Sequence, residues 1–118
     1  MNKVILVGRL TKDIEIREIK SSSKGKPDSI VANFTLAVDD KKSGETAFIN
    51  CVAWNTLAST LEQYTKKGQP IEICGRIRTH SYEKNSETRF VTEVLIEGFE
   101  FCPTNIPPEK EVKKYGRK

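Results

Sequence analysis

The sequence predicts a mainly β fold closed into one small barrel. Runs rich in β-branched and aromatic residues recur along the chain with turn-forming residues between them, and only one stretch has helical spacing. With 118 residues there is room for a single core. The composition, 36% hydrophobic and 31% charged, is that of a globular chain. No apolar run approaches the ~18 residues of a membrane-spanning helix. The apolar stretch Val4-Ile5-Leu6-Val7-Gly8 is too short for a signal peptide and has no small-residue cleavage site, so a cytoplasmic protein without membrane contact is expected.

The first strand is predicted over Lys3–Leu10 and continues after a bend at Lys12-Asp13 as Ile14–Ile19. Ser21 to Asp28, with Gly25 and Pro27, has loop composition. Strand two covers Ile30–Asp39, and Asp40-Lys41-Lys42-Ser43-Gly44-Glu45 turns the chain into strand three, Thr46–Trp54. Leu57, Leu61 and Tyr64 then recur at helical spacing and predict a helix over Thr56–Lys67, with Lys66 and Lys67 in its last turn and Gly68 and Pro70 as its stop. Strand four is Ile71–His80, a hairpin turns at Lys84-Asn85-Ser86, and strand five runs from Arg89 to Phe101. Five strands with one α-helix between strands three and four is the order of the OB-fold, a Greek-key barrel. The domain is assigned to residues 1–102 and a short, flexible, basic tail to 103–118.

The net charge of +4 is less informative than it looks, because the tail alone holds five basic residues against two acidic ones. Affinity for a polyanion must therefore come from where charges stand, not from their sum. Cys51, Cys74 and Cys102 lie in apolar, strand-like runs, where a thiol is ordinarily a small buried hydrophobe. Neither they nor the lone His80 form a zinc-ligand spacing, and no phosphate loop, nucleophile elbow or carboxylate pair is present, so no cofactor, metal or catalysis is expected.

Strand parity selects the candidate site. In strand four, Ile71, Ile73, Gly75 and Ile77 share the core side, while Arg76, Arg78, His80 and Tyr82 share the other. Guanidinium groups hold phosphates and a ring offers a base a surface, although an ordinary solvated face fits the same row. In strand three, Phe48, Asn50, Val52 and Trp54 oppose Ile49, Cys51 and Ala53. The second set suits the barrel interior, which turns Phe48 and Trp54 outward; a doubly buried strand or a subunit contact fits equally. Lys3, Arg9, Lys12 and Lys67 would extend a positive track, and Lys41 and Lys42 sit in the loop after strand two.

Across residues 2–102 the chain resembles the bacterial single-stranded DNA-binding protein family. The resemblance rests on ordered blocks: Asn2-Lys3-Val4-Ile5-Leu6-Val7-Gly8-Arg9-Leu10, Ala32-Asn33-Phe34-Thr35-Leu36-Ala37, Phe48-Ile49-Asn50-Cys51-Val52-Ala53-Trp54, Lys67-Gly68, Gly75-Arg76-Ile77-Arg78-Thr79 and Val91-Thr92-Glu93-Val94. It implies an OB-fold, a homotetramer, and sequence-tolerant binding and protection of single-stranded DNA in replication, recombination and repair. By position it implies stacking at Phe48, Trp54 and Tyr82 and basic contacts at Lys3, Arg9, Lys67, Arg76 and Arg78, with Asn50 and His80 where some members carry a base. Two departures stand out. A further stacking ring usual after strand two is replaced by about Lys42 in a shortened loop, which predicts more salt-sensitive binding. The family's acidic, Phe-terminated tip is not matched by Lys113-Lys114-Tyr115-Gly116-Arg117-Lys118, so recruitment of replication and repair enzymes through it is not expected, and a phage, plasmid or accessory member fits. The other classes consistent with the fold are a protein-binding OB module and a cold-shock-like RNA binder.

Overall fold

The structure, a computed structural model, describes residues 1–22 and 24–101, with only the backbone of Phe101. Cys102 and the segment 103–118 assigned as a tail lie outside the described residues. The elements are β1 (Val4–Leu10), β2 (Ile16–Ile19), β3 (Ser29–Asp39), β4 (Thr46–Trp54), α1 (Thr56–Tyr64), β5 (Pro70–Lys84) and β6 (Glu87–Phe101). They form one sheet in the order β1-β5-β6-β4-β3-β2, closed by an added β1–β3 pairing. The result is a five-stranded barrel with β2 as a flange on β3, consistent with the OB-fold. The strand expected to bend at Lys12-Asp13 is two strands, so α1 follows the fourth strand in chain order but the third of the barrel.

Closure depends on β1 serving two partners. It pairs with β5 from Val4↔Gly75 to Arg9↔Pro70, then with β3 through Arg9↔Ala37 and Leu10↔Leu36. Gly8 makes the crossing possible, since a Cβ there would lie 2.4 Å from the Ala37 carbonyl oxygen. Before β1 begins, the Asn2 side chain continues the ladder, donating to the Ile77 carbonyl at 2.7 Å and accepting the Ile77 N–H at 2.8 Å. The far side closes through a brief parallel contact of β4 with β6, Cys51↔Val94 and Val52↔Leu95.

Leu10, Leu36, Leu61, Ile71 and Ile73 are fully buried and form the centre of the core. Helix α1 lies over β2, β3, β4 and β6 and contributes Ala58 and Leu61 to it. Two expectations about the helix are corrected. It ends at Tyr64, because Thr65 turns extended while its N–H and its hydroxyl both donate to the Leu61 carbonyl. Lys66 and Lys67 therefore lie beyond the last turn, and Tyr64, placed on the apolar stripe, is 60% exposed.

Ile77 is a third correction. It keeps the parity of Ile71 and Ile73 yet is 47% exposed. Although its backbone is bonded by Asn2 and its strand partner Val94 meets β4, its side chain lines an open hollow of about 370 Å³ with Val4, Leu6, Phe48 and Ile49 and so meets solvent. Cys51, by contrast, is sealed inside at 2% exposure. Burial pushes its thiol up to about 12, and the Glu93 carboxylate adds to the shift. Iodoacetamide at pH 8 should leave Cys51 unmodified in the folded protein and label it after denaturation. Peptide mass spectrometry checks this, and labelling at the unfolded rate would contradict the packing described.

Candidate nucleic-acid interface

The outer face of the barrel wall collects the predicted side chains. On β4, Phe48 is 66% exposed and Trp54 half-buried, while Val52 between them is sealed. The register sets Trp54 opposite Val31, Asn50 opposite Thr35 and Phe48 opposite Ala37. On the hairpin, Arg78 faces Glu93, His80 faces Val91 and Tyr82 faces Arg89, so these six share a face. Tyr82 is 47% exposed. All three predicted rings are thus open to solvent at least in part.

The cations gather around two of these features. Arg9, Lys67, Gly68, Thr46 and Phe48 line one hollow of about 320 Å³, which puts two positive side chains beside the most exposed of the three rings. Lys67 is brought there by the end of the helix: its N–H donates to Asp13 Oδ1 at 2.7 Å, fastening the loop to the bend after β1. Arg78 and His80 instead flank a groove of about 220 Å³ whose lining includes Asn33, Thr35, Asn50, Val91 and Glu93. Lys3 and Arg76 stand apart from both, at the bulge where β6 inserts an unmatched Glu97 between Ile96 and Gly98.

Lys3, Arg9, Arg76, Arg78 and His80 each carry a carboxylate partner, which parity could not reveal. Arg9 donates to both oxygens of Asp39 at 3.0 Å, and Arg78 Nε donates to Glu93 Oε2 at 2.9 Å. His80 Nε2 is 3.5 Å from the same oxygen, and Glu97 lies 3.9 Å from Lys3 and 3.6 Å from Arg76. Among the described residues Lys67 has no such pair. The Thr46 hydroxyl, then the Arg9 guanidinium, hold Asp39 below the ordinary carboxylate range, so it stays charged at neutral pH. These pairs are mostly exposed and therefore weak, so a phosphate can displace the carboxylate at little cost. Glu93 is the exception, with a side chain only 10% exposed.

The turn after β3 is tight. Asp40 Oδ1 accepts the N–H groups of Lys42 at 2.9 Å and Ser43 at 3.4 Å, which lowers the Asp40 pKa. Gly44, at φ 78°, completes a turn that an L side chain would strain. Lys41 and Lys42 are both exposed on it. Phe90, 78% exposed and opposite Ser81, is a ring that the sequence reading passed over. Strand alternation through Arg89 and Val91 would have marked it, and it lies on the face of the hairpin opposite Tyr82.

A model of the single-strand binding protein family matches residues 1–102. The chain belongs to that family. It is 45% identical over 103 residues to a single-stranded DNA-binding protein of Clostridium perfringens, covering 86% of this chain and 65% of that protein. It is 44% identical over 107 residues to one of Halalkalibacterium halodurans, covering 86% of this chain and 60% of that one. To single-stranded DNA-binding protein 1 of Streptococcus pyogenes it is 44% identical over 108 residues, 85% of this chain and 77% of the relative. The chain thus spans somewhat under two thirds of the length of the first two. Membership in the family accords with the barrel and gives the open rings a context.

Proposed function

We propose that this chain binds single-stranded DNA with little sequence preference and keeps it unpaired and protected during replication, recombination and repair, in the cytoplasm and without catalysis. The observation that carries the reading is the joint exposure of Phe48, Trp54 and Tyr82 on an outer wall that also presents Arg9, Lys67, Arg76, Arg78 and His80. Bases stack on the rings, each worth ~1–3 kcal/mol whatever the base, and the cations exchange their carboxylates for phosphates. Asn50 and Lys3 complete the contact. Titration with oligo-dT should quench the Trp54 fluorescence to a stoichiometric end point, and affinity should fall as salt rises. Duplex DNA bound as tightly, or no quenching at all, would overturn the proposal.

Assembly as a homotetramer belongs to the same reading. Ile5 and Val7 stand 62% and 55% exposed on the outer side of β1, an apolar pair that a second copy would cover. Light scattering on the free protein should give four times the chain mass, and a monomer at micromolar concentration would refute this part alone.

A further inference from the structure

The groove between β3–β4 and the β5–β6 hairpin mixes apolar surface with the polar groups of a base-reading site. Asn33, Thr35 and Asn50, with Phe34 and Cys51, lie along one wall and Val91 and Glu93 along the other. The Glu93 side chain is nine-tenths buried, yet both of its cationic partners converge on a single oxygen, Arg78 at 2.9 Å and His80 at 3.5 Å from Oε2. No contact of Oε1 is seen among the described residues, and none of the Asn33 or Asn50 side-chain amides there either. A carboxylate oxygen without a protein donor is free to accept from a ligand that enters the groove. A carboxylate held through one oxygen by Arg78 and His80 thus lines, together with two amides that can donate, a hollow of about 220 Å³ with room for one pyrimidine.

Resting on the DNA-binding reading above, we infer that this groove is a base-edge subsite for a nucleobase with an exocyclic amino group beside a ring-nitrogen acceptor, cytosine foremost. Glu93 Oε1 accepts from the amino group, as carboxylates do from cytosine N4, and the Asn50 amide donates to the ring nitrogen. Thymine presents a carbonyl oxygen where cytosine presents N–H, and that oxygen meets the carboxylate repulsively. Arg78 and His80 are positioning residues: they hold Oε2 and so aim Oε1. Stacking elsewhere on the wall stays indifferent to sequence, so the bias is confined to this one place along the strand.

Affinities for oligo-dC and oligo-dT of equal length test the inference. Glu93→Gln keeps a carbonyl oxygen for Arg78 and turns an amide NH₂ toward the base, so the dC to dT affinity ratio should fall about tenfold. On the unaltered protein, an oligomer of 2-pyrimidinone, which is cytosine without its amino group, should bind about tenfold more weakly than oligo-dC. Equal binding of those two oligomers overturns the inference whatever the variant does, and decides the matter alone if Glu93→Gln does not fold. If the unaltered protein bound neither oligo-dC nor oligo-dT, the DNA-binding reading would fall and this subsite with it. Tight binding of both that ignores the amino group removes the subsite only.

Discussion

Alanine at Phe48, Trp54 and Tyr82 together is expected to reduce affinity for oligo-dT by two or more orders of magnitude. Each ring contributes ~1–3 kcal/mol of stacking, which is roughly five- to 150-fold per position. The three sites are separated on the wall, so their effects should add to a first approximation. The single substitutions should not be equal. Phe48 is the most exposed of the three and lies beside Arg9 and Lys67, where a stacked base places its phosphate against two cations. Trp54 is half-buried opposite Val31, so its removal should also cost some stability. Fluorescence anisotropy with labelled oligo-dT measures the losses, and thermal unfolding separates the stability component. Affinity retained in the triple variant would show that bases do not lie on these rings.

Gly75→Ala should be the most damaging single-methyl change in the barrel. The added Cβ would sit 2.1 Å from the Leu95 carbonyl oxygen and 2.9 Å from its carbon, both backbone atoms that cannot step aside. The site lies at the bulge of β6 and at the last β1–β5 pair, so any shift propagates into two ladders. Overpacking of this kind costs ~3 kcal/mol or more, which for a domain of this size lowers the melting temperature by roughly 15 °C. Gly98→Ala is the matched comparison. Its Cβ would meet only the Cys74 sulfur at 3.3 Å, a side-chain atom with freedom to move, and the loss should be far smaller. Calorimetry on the two variants checks the contrast; equal melting temperatures would mean that the close strand approach at Gly75 is misdescribed.

The sides of the strands were legible in the sequence because alternation is a local property. Phe48 and Trp54 fall outside and Cys51 and Ala53 inside from the period of two alone, and Tyr82 follows from the same count along β5. How much of each side is covered was not legible. Ile77 has core parity and still meets solvent, since coverage depends on how closely β1 and β4, elements far away in the chain, pack around its side chain. The helix was legible in its stripe but not in its length, because the last turn is decided by Thr65 turning back onto the Leu61 carbonyl.

Charge pairing shows the same division. A row of Arg76, Arg78 and His80 appears in the sequence as unmatched positive charge, whereas the fold gives each a carboxylate. Glu93 sits fifteen residues from Arg78, and Asp39 thirty from Arg9, distances over which only strand register decides who meets whom.

By itself the sequence determined the order of strands, turns and helix, the face each side chain takes, and the kinship that those blocks imply. These follow from backbone periodicity and turn chemistry within a few residues. The tertiary structure alone decided the closure at Gly8, the open mouth at Ile77, the hollow that joins Phe48 to Arg9 and Lys67, and the groove that Glu93 lines. Each of these requires segments remote in the chain to be brought within a few ångströms, and that proximity is created by ring closure of the sheet, for which no local pattern codes.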